Sequence, residues 1–283
     1  MTAHMAGAVS TPADSSVDSL REFIARHPRL FVLTGAGCST DSGIPDYRDE
    51  AGAWKRAHPI MFRDFVADDR ARKRYWARSL VGFRRLRTAS PNEAHRALAR
   101  LERNGRVAQL VTQNVDGLHQ AAGSGQVIDL HGRIDVVRCL VCDRRVPRDE
   151  LQMELTRRNP GFAVLDALEA PDGDADLDAV AFDAFDVPAC DACGGLLKPD
   201  VVFFGEGVPA ERVGRAMAAI DASDAMLVVG SSLMVYSGYR FVRAMAEARK
   251  PIAAINLGRT RADELLTLKV ASPCADALRA IAP

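Results

Sequence analysis

The stretch RLFVLTGAGCSTDSGIPDYR, residues 29–48, starts as a short apolar strand and closes on the glycines of TGAG. A strand ending this way can offer backbone N–H groups, at the positive end of a following helix, to a diphosphate. An ordinary dinucleotide turn continues to a third glycine, a helix, a second strand and an acidic residue roughly 20 positions on that holds a ribose. Here CSTDSGIPDYR takes that place, and its Gly43 and Pro45 break a helix while the run lacks strand character. The segment therefore reads as a loop laid over a cofactor, an arrangement that suits chemistry at the ribose better than hydride transfer.

Around this stretch, helix and strand patterns alternate. Val17, Leu20 and Ile24 recur at helical spacing, and strand-length aliphatic runs follow at 107–112, 126–130, 201–204, 225–230 and 251–256. Between several of them lie helical stretches, NEAHRALARLERNG with Ala94, Leu98 and Leu101 on one face, PAERVGRAMAAIDAS and GYRFVRAMAEARK. This alternation predicts an α/β fold, a Rossmann-like parallel sheet covered on both faces. Two regions interrupt it: an arginine- and aromatic-rich helical stretch, and a segment holding two CxxC pairs with eight acidic residues and no lysine or arginine between 159 and 189. The expected division is a disordered tail over 1–15, a nucleotide-binding domain from 16–57, 91–135 and 200–283, a helical insert at 58–90 and a zinc-ribbon insert at 136–199. The acidic stretch reads as a solvated loop.

The 283 residues suffice for one large domain with a smaller insert. Lysine plus arginine equals aspartate plus glutamate at 37 each, so no net positive field draws the chain to nucleic acid or an anionic membrane. No apolar run approaches the roughly 18 residues of a membrane span, and the first residues carry neither signal-peptide nor transit-peptide character. A soluble, cytoplasmic protein is expected.

Six cysteines are too sparse for a disulfide scaffold, and four of them form CLVC, Cys139 and Cys142, and CDAC, Cys190 and Cys193. Each two-residue spacing lets one turn aim two thiolates at one ion, and two such turns complete a tetrahedral zinc with no position left for water. Four buried thiols or two redox dithiols are the competing readings. In VTQNVDGLH, residues 111–119, a strand turns polar where a parallel sheet gathers its ligands. Gln113, Asn114 and Asp116 offer groups for a carboxamide or ribose hydroxyls, or else Asp116 caps a helix. His131, closing VIDLHG, is either structural or a base able to take a proton at neutral pH.

Taken in order, GAGCSTDSGIPDYR, TQNVDGLH, DLHG, the two CxxC pairs, LKPDVVFFGE, VVGSSL and INLG resemble the sirtuins, NAD-dependent protein-lysine deacylases, over residues 20–283. YWARSLVGF, APDGD and GSSLMVYSGYRF are most similar to the class II branch, which includes the animal mitochondrial sirtuin 4. The resemblance implies NAD as co-substrate, one structural zinc on the four CxxC cysteines, and an acylated lysine of a protein as partner, meeting NAD in the cleft between the two domains. It implies that Gly35, Ala36 and Gly37 approach the diphosphate with help from Ser39 and Arg48, that Ile44, Pro45 and Asp46 border the nicotinamide pocket together with Asn114 and Asp116, and that Gln113 meets the nicotinamide ribose; Cys38, Thr40, Tyr47 and Val115 count among the cofactor-binding residues. Gly230, Ser231, Ser232, Asn256, Leu257, Gly258 and Cys274 surround the adenosine half.

His131 matches the family's general base, with Asn114 beside it as the second catalytic residue. The implied reaction has the acyl oxygen attack the anomeric carbon of the nicotinamide ribose; His131 then draws a proton through the ribose hydroxyls, and free lysine and O-acyl-ADP-ribose result. Cys38 stands where isoleucine is usual and Tyr47 where most members have phenylalanine. GSSLMVYSG replaces a commoner strip beside the peptide channel, which bears on substrate preference. The class II likeness and Arg78 in YWAR raise the expectation of an acyl group longer or more polar than acetyl. Protein ADP-ribosylation by the same site is the alternative output. A dehydrogenase and a zinc-ribbon binding module are more distant ones.

Overall fold

The computed structural model describes residues 16–55, 59–165, 169–170, 174–175, 177 and 181–281. The tail expected over 1–15 and part of the acidic stretch lie outside the described residues. In chain order the first elements are α1 Val17–Arg26, β1 Leu30–Thr34, α2 Phe62–Ala67, α3 Asp69–Leu86, α4 Glu93–Arg103, β2 Val107–Thr112, α5 Leu118–Ala121 and β3 Val127–Asp129. There follow β4 Gly132–Cys139, β5 Arg145–Pro147, α6 Arg148–Arg158, α7 Pro160–Ala163, β6 Glu169–Ala170, β7 Asp174–Ala175 and β8 Leu197–Val201. The chain closes with α8 Ala210–Asp221, β9 Ala225–Val229, α9 Tyr236–Glu247, β10 Ile252–Ile255, β11 Leu268–Val270 and α10 Cys274–Arg279.

Six parallel strands form the large sheet in the order β3-β2-β1-β9-β10-β11. Every residue of β1, β9 and β10 is buried, as a sheet packed on both faces requires. On one face Leu30, Val32, Leu227 and Ile255 pack against Leu20 and Ile24 of α1 and Leu98 and Leu101 of α4. On the other, Phe31, Leu33, Met226 and Val228 meet Ile220 of α8 and Phe241 and Met245 of α9. The chain runs from β1 outward to β2 and β3, and later returns to build β9, β10 and β11 on the other side. The strand order therefore switches between β1 and β9, which opens a crevice at their carboxyl ends.

The smaller sheet is antiparallel, β5-β4-β8, and α2, α3 and α6 cover it. Phe65, Trp76, Leu80 and Phe83 from the helices share one core with Ile134, Val137, Leu151, Val201 and Phe203. Here the structure corrects one expectation. The run at 201–204 is no strand of the large sheet, because only Val201 is in a strand and it pairs antiparallel with Gly132. Its apolar side chains Val201 and Phe203 fill the small lobe's core. Strands β4, β5, β6, β7 and β11 were not foreseen.

Candidate active site

The glycine turn is built by close backbone approach. Gly230, just after β9, has φ +61°, and a Cβ there would lie 2.3 Å from the amide nitrogen of Cys38. A Cβ on Gly35 would lie 2.8 Å from that of Ser231. Only glycine fits both places, so the ends of β1 and β9 lock together and their amide groups border the crevice. After the turn, residues 36–38 and 40–42 form two short 3-10 turns, and the polar loop continues over the opening.

A cleft of about 660 Å³ lies there. Gly35, Ala36, Gly37, Ser39, Thr40, Ile44, Pro45, Asp46, Tyr47 and Arg48 line it from the loop. Gln113, Asn114, Val115, Asp116 and His131 line it from the ends of β2 and β3, and Gly230, Ser231, Ser232, Asn256, Leu257, Gly258 and Cys274 from the far half of the sheet. Cys38 is the exception. Its side chain is buried in the core beneath the loop, and burial pushes its thiol well above the usual range.

Hydrogen bonds fix the polar floor. The Asn114 amide donates to the Gly35 carbonyl at 3.1 Å and to Ser39 Oγ at 3.0 Å, and Ser39 Oγ donates to Asp116 at 2.7 Å. The other Asp116 oxygen accepts from the Leu118 amide at 2.9 Å, so the carboxylate both stabilises the turn into α5 and faces the cleft. Ser231 Oγ donates to the Gln113 side-chain oxygen at 2.7 Å. In the covering loop Asp46 pairs with Lys55 at 2.5 Å, and the Arg48 guanidinium stacks 4.0 Å over the Trp54 ring.

His131 is held at both ring nitrogens. Nδ1 lies 2.9 Å from the Gln113 main-chain oxygen and Nε2 lies 2.8 Å from Ser237 Oγ. A carbonyl oxygen only accepts, so Nδ1 carries the hydrogen and the neutral ring keeps a lone pair on Nε2, to which Ser237 donates. Desolvation lowers its pKa to about 4, assisted by the charges of Arg212 and Arg240 and opposed by the Gln113 bond. The imidazole is therefore an uncharged base at neutral pH. Deeper beneath the turn, buried His95 and His119 are also held neutral, chiefly by desolvation. His95 accepts the Asn92 amide in the capping box of α4, and His119 Nε2 contacts Thr34 Oγ1 at 2.9 Å.

The four CxxC sulfurs converge in the small lobe. Cys139 and Cys193 are 3.5 Å apart, Cys142 and Cys190 3.8 Å, and all four lie within 4.8 Å of one another. Tetrahedral thiolates at about 2.3 Å from zinc stand roughly 3.8 Å apart, so the set fits one zinc ion with no open position. Backbone N–H groups of Cys142 and Val141 point at the Cys139 sulfur and favour its thiolate, the form that ligates a metal.

The family model of the Sir2 family matches residues 35–237. An NAD-dependent protein deacetylase of Xanthomonas campestris is 66% identical over 260 residues, covering 92% of this chain and 89% of its own. An NAD-dependent protein deacetylase 2 of Bradyrhizobium diazoefficiens is 63% identical, at 92% and 95% coverage. A solved Sir2 complex with a p53 peptide and NAD+ superposes with a TM-score of 0.75 at 29% identity, covering 94% of this chain and 97% of that one. The chain belongs to the Sir2 family. This sirtuin thus has its glycine turn, polar strand ends and CxxC quartet in the order that the sequence motifs indicated.

Sequence reasoning missed several cleft residues of this sirtuin: Trp54, Phe204, Met234, Ser237 and Arg240. Trp54 and Phe204 carried a signal as aromatics in polar or glycine-rich surroundings, and Ser237 lay in the strip already noted as a departure. Arg78 is not among the cleft-lining residues, and its guanidinium is paired with Asp174 at 2.9 Å. That pairing removes the free arginine on which binding of a carboxylated acyl group rested. No described helix is long and apolar enough to cross a membrane.

Proposed function

We propose that this sirtuin removes acyl groups from protein lysine at the expense of NAD, giving nicotinamide, free lysine and O-acyl-ADP-ribose. The observation that carries the reading is His131: a neutral imidazole that lines the same cleft as the Gly35–Gly37 turn, with Nε2 accepting from the cleft residue Ser237. Bound NAD supplies an anomeric carbon from which nicotinamide departs as the acyl oxygen attacks. The amides of the turn hold the diphosphate, Gln113 orients the adjacent ribose, and Asn114 and Asp116, fixed by Ser39, shape the nicotinamide pocket. His131 would then accept a proton drawn from the ribose hydroxyls, so that the 2′-oxygen could bond to the acyl carbon as the bond from that carbon to the lysine nitrogen breaks, with one water completing O-acyl-ADP-ribose. The CxxC zinc is fully ligated by protein and braces the small lobe, taking no part in the bond changes.

Acyl choice is the finer part of the proposal. Tyr47, Trp54 and Phe204 pack edge to face within the cleft. Such a wall favours hydrocarbon acyl chains, acetyl and longer, over carboxylated ones. Mixing the protein with NAD and a panel of acylated lysine peptides tests both levels. Nicotinamide and deacylated peptide in equal amounts support deacylation, whereas nicotinamide with ADP-ribosylated protein and intact acyl peptide points to ADP-ribosyl transfer. Growth of NADH absorbance would indicate a dehydrogenase.

A further inference from the structure

The general-base reading of His131 leaves open what keeps that ring facing the ribose, and on that reading we propose that Ser237 is its positioning residue. In the free enzyme the Ser237 hydroxyl occupies Nε2, and it yields that nitrogen to the ribose hydroxyl when NAD binds. His131 makes two hydrogen bonds, one from each side of the crevice: Nδ1 to the main chain at the end of β2, and Nε2 to the first turn of α9. The Nδ1 bond limits rotation about Cβ–Cγ from one side of the ring, and the second anchor at Nε2 narrows it further before substrate arrives.

Ser237 is itself fixed. It is 8% exposed, and α9 presses on the residue that anchors the other nitrogen, since a Cβ on Gly238 would lie 2.8 Å from the Gln113 side-chain amide carbon. Gln113 in turn accepts from Ser231, next to the glycine turn, so base, ribose-facing amide and diphosphate loop form one connected unit. A serine suits the task because its hydroxyl donates to a bare nitrogen and, after rotation, accepts from a protonated one. The proton leaves the ribose O–H bond and forms the Nε2–H bond; Ser237 keeps its own proton throughout.

The test pairs Ser237→Ala and Ser237→Thr with 15N spectra of histidine-labelled free enzyme. The wild type is expected to show His131 as a single neutral tautomer with Nδ1 protonated. Ser237→Ala is expected to keep Nδ1 protonated through the Gln113 bond but to shift the Nε2 resonance, which loses its hydrogen-bond donor, with kcat for lysine release lower by about five- to tenfold, the change that one ordinary hydrogen bond supports. KM for NAD should not rise, because the competitor for Nε2 is gone, and Ser237→Thr should restore the wild-type Nε2 resonance and most of kcat. An unchanged Nε2 resonance with unchanged kcat in Ser237→Ala, or wild-type His131 protonated on Nε2, overturns the proposal. Should His131→Ala keep turnover, the base reading itself fails; an inactive His131→Ala beside an unaltered Ser237→Ala sinks only the role of Ser237.

Discussion

The two lobes are held together by different physics. The large lobe buries three strands completely and packs aliphatic side chains from helices on both faces, the kind of core that stabilises a fold without help. The small lobe has short antiparallel strands, an aromatic cluster, and two buried cations. Arg148 lies under the Phe83 ring at 4.4 Å, and Lys198 pairs with Glu206 at 3.1 Å. Its four thiols converge within 4.8 Å of one another, two of them buried and two exposed. Stability that comes from burial is intrinsic to the chain, whereas stability that comes from an ion is conditional on that ion. The cleft takes walls from both lobes, so activity inherits the weaker condition.

Chelation should separate the lobes most sharply. Removing zinc is expected to abolish turnover and to strip hydrogen-exchange protection from 132–147 and 190–201, while amides of β1 and β9 stay protected. Simultaneous loss in both lobes would erase the distinction. Leu98→Ala, at a fully buried position against the large sheet, should cost about 2–5 kcal/mol by urea unfolding. A much smaller cost would mean that the large core is looser than its burial indicates.

Acid gives a smaller, graded effect through the histidines of the large lobe's polar floor. His95, His119 and His131 all have folded pKa values below the ordinary 6.5, with His95 and His131 at about 4. Between those values the unfolded chain binds more protons, so unfolding free energy should fall as pH drops from about 6.5 to about 4, and the contributions of His95 and His131 should level off below. Denaturant midpoints at steps across that window would measure it, and a flat profile would contradict buried neutral histidines. The smallest expected effect is that of Arg78→Ala: it breaks the pair with Asp174 in the small lobe yet should leave the ranking of acyl substrates unchanged in an acyl-peptide panel.

How much of this was legible in the sequence also differs between the lobes. The large sheet announced itself because fully buried parallel strands are continuous aliphatic runs bounded by glycine, as in LFVLT and AMLVV. Strand β4, GRIDVVRC, alternates buried and partly exposed residues and carries two arginines and an aspartate, so its pattern stayed hidden. The run at 201–204 misled for the opposite reason, since apolar residues leaving a strand to fill a core resemble a strand. Within the site, the catalytic and cofactor-binding residues named from the family resemblance, Cys38 apart, line one cleft. The partner of His131 was not readable, because Ser237 lies 106 positions away and only the fold brings it to 2.8 Å. Asp116 left two readings open; in the structure one oxygen accepts from the Leu118 amide at the start of α5, whose N-cap position is Gly117, and the other accepts from Ser39 at the cleft wall.

The most direct test of the account follows free lysine released from an acetylated peptide in the presence of NAD by wild type and by His131→Ala. The variant should keep the wild-type circular dichroism spectrum and NAD affinity while lysine release falls by about a hundredfold or more. A folded, NAD-binding variant that retains more than about a tenth of wild-type release would contradict the account, because proton transfer at that step would then not depend on the imidazole.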